Sequence, residues 1–440
     1  MNPVMFIALA IFVAAIALII WGRVDRTAVS VGAVVLMVVL GVMDEREAFF
    51  SVDWNVIAIL FGVWIIAAYF GRTGIPEYLA RLMLRISGHR IGVFLTLMGV
   101  LAGFISIFVD NVVVIIMLAP VVLHVTKRLN VAAFPFLIFI GLCSNFMGTA
   151  LLLGDLPPQM LHSVAGIEFP EFIWQFGRPS SFIILTLTFI PTVLFLYYFK
   201  FRKMYRDVSV SQFHEDSPVC IENAPYAVVV VGIFIATILG MAFRQYTGLH
   251  LGLIAIAGMI ILVLTLEIFH TRLKGPKFEN ILADVDLRTM LFYISLFVLV
   301  GGIDKAGFIQ IVANAVVPFV QNNLVVGTSV IYWLTAAITG VVEHDAYILS
   351  FLYVIRDVAE VSAVNPWPLW WAVLWAGTLG SNLTIAGAPA LFVSQNICEK
   401  ENNCIVRPKQ FFSETIPFVI ISLVICYILM MIFWVLPFSR

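Results

Sequence analysis

Four carboxylates, Asp110, Asp155, Glu343 and Asp345, stand inside otherwise apolar stretches of the chain, and His344 lies between the last two. A carboxylate at the bilayer midplane costs at least about 2.5–3.5 kcal/mol on insertion scales. It persists there by holding a cation or taking up a proton. Neutral oxygen and amide groups accompany these acids. Asn111 follows Asp110, and Ser144-Asn145-Phe146-Met147-Gly148-Thr149 leads to Gly154-Asp155-Leu156-Pro157-Pro158. Later, Ser381-Asn382-Leu383-Thr384 leads to Gly387-Ala388-Pro389. Gly and Pro interrupt helical hydrogen bonding and leave backbone carbonyls and N–H groups free. Such carbonyls, with Ser, Thr and Asn oxygens, are the hard ligands sodium prefers, while N–H groups at half-helix starts suit an anion. The expected chemistry is reversible binding of a small ion. The candidate site comprises Asp110, Asn111, Ser144, Asn145, Gly148, Thr149, Asp155, Glu343, His344, Asp345, Ser381, Asn382, Thr384 and Gly387, with a sodium position at Asp110, Asn111, Ser144 and Asn145. His344 is the group whose ordinary titration range lies near neutral pH. Neither tip nor break contains Lys or Arg, so backbone N–H groups are left as the partners for a di- or tricarboxylate.

The elements that must position these groups follow from composition. The 440 residues are 62% hydrophobic and 12% charged, and the mean hydropathy is +1.05. Soluble domains run at about 45–50% apolar and about 25% charged. A water-soluble enzyme, a disordered chain and a nucleic-acid-binding protein are therefore excluded in favour of an all-α polytopic membrane protein. Its partners are the lipid bilayer and a small ion or small-molecule substrate, with no nucleic acid. Cys143, Cys220, Cys398, Cys404 and Cys426 are odd in number and scattered, which implies no disulfide framework. The N-terminal apolar segment lacks a basic leader and a cleavage site, and reads as a retained span.

Apolar runs predict crossings at about 4–21, 27–43, 54–70, 131–159, 180–199, 225–243, 249–267, 289–303, 367–397 and 415–436. Two further apolar stretches, Ile91–Leu123 and Leu324–Leu352, break at Asp110-Asn111 and at Glu343-His344-Asp345. Each reads as a re-entrant helical hairpin with a polar tip, tolerable only against protein or a wet cavity. With the loop bearing Arg23 and Arg26 inside, 19 of the 25 Lys and Arg fall on the inner side, among them Arg206, and Arg440 falls outside. That asymmetry is the positive-inside rule, and it places both termini outside the cell membrane. The chain also repeats itself. Asp53 and Asp286 lie 233 positions apart, Asp110 and Asp345 lie 235 apart, and Ser144-Asn145 and Ser381-Asn382 lie 237 apart. The expected organisation is two inverted repeats of five transmembrane helices, 1–200 and 225–440, each with a re-entrant hairpin and a broken helix, joined by a polar cytoplasmic linker, 201–224. Inverted repeats with discontinuous helices at the midplane mark secondary transporters.

Structural readings stand beside the functional ones. The Ser-Asn pairs also suit hydrogen bonds between packed helices. Asp110 and Asp345 also suit buried structural roles, and Glu343 and His344 a wet turn. Asp53 and Asp286 read as helix N-caps. Asp304-Lys305 and Arg356-Asp357 read as solvated loop pairs, and Trp367, Trp370, Trp371 and Trp375 as an interfacial belt. No HExxH or GxSxG motif is present, which argues against an intramembrane hydrolase.

Asp110-Asn111 followed by Leu118-Ala119-Pro120, and Ser144-Asn145-x-x-Gly148-Thr149-Ala150 followed by Gly154-Asp155, resemble the ion transporter superfamily. That group includes arsenite efflux permeases, D-type sodium–proton antiporters, the melanosomal P protein, citrate transporters and, more distantly, divalent-anion–sodium symporters. Nearly the whole chain is covered. The Asp-Asn tip is most similar to the arsenite, antiporter and P-protein branch. Symporters typically carry Ser-Asn-Thr at both tips, where this chain has Val109-Asp110-Asn111 and His344-Asp345-Ala346. Leu156 interrupts the usual Gly-Asp-Pro-Pro-Asn, and Met147, Ala388 and Pro389 also depart from the pattern. The resemblance implies a dimerising scaffold and a transport domain moving like an elevator. The expected function is secondary active transport of small inorganic ions, by sodium–proton antiport or arsenite-type efflux. It is coupled to sodium or protons through Asp110, Asp345 and their neighbours, without a cofactor; the alternative substrate is citrate or another di- or tricarboxylate. No enzymatic activity is expected.

Overall fold

A computed structural model describes residues 3–21, 24–88, 90–205, 221, 223–362, 364–402 and 407–439. Arg23, Arg206, Arg440, Cys220, Cys404 and most of the 201–224 linker lie outside the described residues. Hydrocarbon offers no hydrogen bonds, so a spanning backbone must satisfy its own. Accordingly the described regular structure is helical apart from a two-residue ladder pairing Trp174–Gln175 with Arg178–Pro179, with turns and loops between the helices. Among the described residues, seven helices are long and apolar enough to cross a membrane: Trp54–Gly71, Asn111–Arg128, Ser181–Met204, Ala224–Ala242, Leu251–Ile268, Leu287–Lys305 and Pro408–Val435. The protein is an all-α, polytopic membrane protein.

The stretches expected to be interrupted are interrupted. Hairpin 1 consists of Ile91–Ser106 and Asn111–Arg128, and hairpin 2 of Leu324–Thr339 and His344–Val361. Broken helix 1 consists of Phe134–Gly148 and Leu156–Ala165, and broken helix 2 of Trp367–Ser381 and Pro389–Asn402. The first arm of each hairpin has 16 residues, about 24 Å, and the second has 18, about 27 Å, against a hydrocarbon core of roughly 30 Å. Asp53, Asp110 and Asp286 all cap helices, each accepting from two backbone N–H groups of the following turn. The cap reading of Asp53 and Asp286 holds.

The helices recur in order, with a constant spacing. Ile91–Ser106 and Leu324–Thr339 are both 16 residues long and lie 233 positions apart, and the same spacing relates Phe134–Gly148 to Trp367–Ser381. This corrects the pairing read from motifs. At 233 residues Asp110 corresponds to Glu343, not Asp345, and Asn145 corresponds to Thr378, not Asn382. The Ser-Asn pairs are displaced by four residues, about one helical turn, which keeps them on equivalent faces and explains why motif matching joined them.

Contacts recur with the halves exchanged. Arg26–Val39 packs on Leu287–Lys305, and Leu251–Ile268 packs on Trp54–Gly71. Likewise Leu156–Ala165 packs on His344–Val361, and Pro389–Asn402 on Asn111–Arg128. Two bundles result. A straight bundle holds Pro3–Trp21, Arg26–Val39, Trp54–Gly71, Ala224–Ala242, Leu251–Ile268 and Leu287–Lys305. A hairpin bundle holds both hairpins and both broken helices.

Three readings are overturned. Trp370, Trp371 and Trp375 are buried rather than interfacial. Trp371 and Trp375 stack 5.1 Å apart, and Trp375 Nε1 donates to Ser181 Oγ. A helix that is apolar all round is buried all round, and hydropathy alone cannot separate its tryptophans from a belt. Asp304-Lys305 and Arg356-Asp357 are not loop pairs; they lie in the helices Leu287–Lys305 and His344–Val361. Arg356 bridges Asp304 and Asp357 at 3.0 Å each, and Lys305 pairs with Glu47. Cys398 is disulfide-bonded, to a partner outside the described residues.

Candidate functional site

The first half of the site closes on itself. Asp110 caps its own helix, accepting from Val112 N at 2.9 Å and Val113 N at 3.3 Å. Asn111, the first helical residue, donates its side-chain amide to Asn145 Oδ1 at 3.0 Å and Asp155 Oδ2 at 3.1 Å. The other Asp155 oxygen accepts from Leu156 N at 2.9 Å and starts the second segment of broken helix 1. Ser144 Oγ donates to the Asn111 carbonyl at 3.4 Å. Gly154 permits the approach. A Cβ there would lie 2.1 Å from the Ser106 carbonyl oxygen of hairpin 1. Gly387, 233 positions on, repeats the device, with a Cβ 2.5 Å from the Thr339 carbonyl oxygen of hairpin 2.

Asn145 then joins the halves. Its Nδ2 donates to Ser381 Oγ at 3.1 Å and Asn382 Oδ1 at 3.2 Å, and approaches the Thr378 carbonyl at 3.4 Å. Thr149 Oγ1 donates to Thr378 Oγ1 at 2.8 Å. All of these side chains are buried. An amide shared among several oxygens in a buried site is strengthened by the low dielectric and fixes how the two broken helices meet.

Hairpin 2 is built differently. Glu343 occupies the N-cap position but makes no cap bond. His344 Nδ1 lies 2.9 Å from the Gly387 carbonyl. A carbonyl only accepts, so Nδ1 carries the proton and Nε2 faces inward. Nε2 is 3.4 Å from Asp345 Oδ1 and 3.9 Å from Asp155 Oδ2, so one imidazole faces carboxylates of both halves. Glu343 Oε1 and Oε2, His344 Nε2 and Asp345 Oδ1 are buried without a hydrogen-bond partner. Buried polar atoms are normally satisfied, and a cluster of exceptions points to a ligand, ion or water.

A cation absent from the tips and breaks reaches the site from the straight bundle. Arg26 Nη1 lies 3.8 Å from Glu343 Oε1. Sequence reading missed it because Arg26 is 317 positions from Glu343 and sits at a helix start where a basic residue reads as topology. Thr378 was missed for a different reason: alignment on Ser-Asn drew attention four residues past it. Aligning helix ends would have found it.

Of the expected site residues, Asn111, Ser144, Asn145, Thr149, Asp155, His344, Asp345, Ser381, Asn382 and Gly387 converge. Gly148 packs beneath them, against Asp155 Cβ and Ser106. Thr384 instead ties its loop to the Gly340 carbonyl at 2.7 Å, and the carboxylate of Asp110 is engaged at its own helix. Among the described residues no group of three or more His, Cys, Asp or Glu could hold a metal ion.

A family profile described as a citrate transporter matches residues 16–376. The chain belongs to the citrate transporter family. An uncharacterised transporter of Mycobacterium tuberculosis is 30% identical over 410 residues, 90% of each chain. The magnetosome protein MamN of Magnetospirillum gryphiswaldense is 26% identical over 407 residues, 89% of this chain and 88% of its own. The human P protein is 24% identical over 509 residues, 96% of this chain and 59% of its own. Family membership makes the protein a membrane transporter that handles a small molecule in a lipid bilayer.

Proposed function

We propose that the chain is a secondary active transporter of small inorganic ions, working by sodium–proton antiport or by efflux of a neutral hydroxide of the arsenous acid type. The single supporting observation is the buried polar site at which Asn145 joins both broken helices and the tip of hairpin 1, while His344 of hairpin 2 approaches Asp155 at 3.9 Å. Asp155, Asp345 and Glu343 outnumber Arg26 there, and the unpartnered Glu343 and Asp345 oxygens accept hydrogen bonds or hold cations. Such a site suits a cation, a proton or a neutral donor better than an anion.

In this reading the straight bundle is the scaffold and the hairpin bundle is the moving body. The two repeats are inverted across the membrane plane, and the site is offered to one side and then the other by an elevator-like displacement. The first half, with Asn111, Asn145 and Asp155, holds sodium; His344, Asp345 and Asp155 exchange protons. The protein sits in the cell membrane as a homodimer, with both termini outside.

A second reading is favoured by the family description and by Arg26: sodium- or proton-coupled transport of citrate or a similar carboxylate. Proteoliposomes separate the two. A pH-gradient dye that responds to added sodium, or uptake of labelled arsenite, supports the first reading. Saturable citrate uptake driven by sodium or protons supports the second. Flux that is only downhill and never saturates contradicts both.

A further inference from the structure

We propose that Arg26 is the fixed counter-charge of hairpin 2, a positioning residue whose guanidinium holds Glu343, and with it the hairpin bundle, in the alternating-access state described here. This rests on the two-bundle elevator reading above.

The case begins with two caps. Asp110 and Glu343 fill the same slot, 233 positions apart, immediately before the second arm of each hairpin. Asp110 spends its carboxylate on Val112 and Val113 N–H. Glu343 is one methylene longer and caps nothing. Both of its oxygens are without hydrogen bonds although the side chain is only 7% exposed, and its carboxylate turns toward Arg26. A buried carboxylate that neither caps its helix nor accepts a hydrogen bond is costly, and the nearby guanidinium compensates it.

Arg26 belongs to the other body. Its Nη2 donates to Thr289 Oγ1 at 2.9 Å, and its guanidinium lies 5.0 Å from the centre of the Phe292 ring. Both supports are on Leu287–Lys305 of the straight bundle. The cation is therefore held by the scaffold and is not carried with the hairpin.

The opposite half lacks the device. Thr27 Oγ1 donates to the Arg288 carbonyl, and Gly252 N donates to Asn55 Oδ1. Arg26 and Leu251 hold equivalent positions: each is the first residue of the scaffold helix that packs on Leu287–Lys305 or on Trp54–Gly71, an offset of 225 that differs from the 233 of the hairpins. Hairpin 1, brought to its own scaffold helix in the opposite state, would meet Leu251 instead of a cation. The pair therefore weights one state over the other. Because Glu343 is buried and the half-buried Arg26 is the cation that faces it, deleting one charge penalises this state more than deleting both.

The test uses Val341→Cys, a reporter at the tip of hairpin 2 whose native side chain is 53% exposed. Labelling by a membrane-impermeant maleimide is measured from each side of sealed vesicles, with the native chain as the cysteine background. In the Arg26→Met and Glu343→Asp versions, labelling from the Arg26 side is expected to fall about tenfold; Arg26→Lys is expected to retain it, and Arg26→Met with Glu343→Gln to recover to within about threefold. Glu343→Asp keeps the charge and restores a capping side chain, so a folded protein is expected even where Arg26→Met is unstable. Unchanged labelling in both single variants, while Val341→Cys still switches sides with the imposed ion gradient, overturns the proposal and leaves the elevator reading standing. A reporter that never switches sides overturns the elevator reading itself and the role of Arg26 with it.

Discussion

Hairpin 1 turns at Asp110-Asn111 and hairpin 2, at the same spacing, at Glu343-His344, and the two tips handle charge in opposite ways. In the first half the acid caps its helix, and the next residue is a neutral amide bonded to Asn145 and Asp155. In the second half the acid is released toward Arg26, and the next residue is an imidazole. The slot of Asp155 in the second half holds Ala388, so His344 finds no carboxylate of its own broken helix and faces Asp155 across the interface. A nearly symmetric frame thus carries one shared polar site instead of two equal ones. Asp155 is its hub, serving Asn111 from one half and His344 from the other.

Breaking that hub gives the largest expected effect. Asp155→Asn keeps shape but removes the charge faced by Asn111 and His344. Bonds to charged groups contribute about 1.5–3 kcal/mol, so coupled transport in proteoliposomes should fall about 10- to 100-fold. The two close-approach glycines come next. Gly154→Ala brings a methyl group to 2.1 Å from the Ser106 carbonyl oxygen, and Gly387→Ala one to 2.4 Å from that of Ser381. In both cases backbone must shift, at a cost of about 1–3 kcal/mol. Thermal unfolding in detergent should show a lower midpoint for both, lower for Gly154→Ala. The smallest effects separate the caps. Asp110→Ala should cost about 1 kcal/mol through the lost N-cap, whereas Glu343→Ala combined with Arg26→Met removes no cap bond and leaves no charge unpaired, and should not show that loss. Equal destabilisation of the two would erase the difference drawn between the tips.

Much of this was legible in the sequence. Apolar runs about one span long, interrupted by acids or by Gly and Pro, could hardly be anything but broken helices in a bilayer. Asp53 and Asp286 announced themselves as caps by standing just before such runs. The site residues were recoverable because acids, Asn, Ser and His stand beside Gly and Pro inside otherwise apolar runs. Three things were hidden. The repeat register was obscured because residues four apart share a helix face, so Ser144-Asn145 and Ser381-Asn382 matched without being equivalent. Burial of Trp371 and Trp375 depends on which helices surround them, and hydropathy does not encode neighbours. The approach of Arg26 to Glu343 depends on how two bundles meet, a long-range property that no local pattern carries.

The central claim is that the polar site around Asn145, Asp155 and Asp345 couples the movement of one ion to another. It is tested most directly by loading proteoliposomes with an outward proton gradient and following uptake of radiolabelled sodium. The native chain should accumulate sodium above its equilibrium level, and Asp155→Asn and Asp345→Asn should each abolish that accumulation. Accumulation at the native rate in both variants would contradict the account.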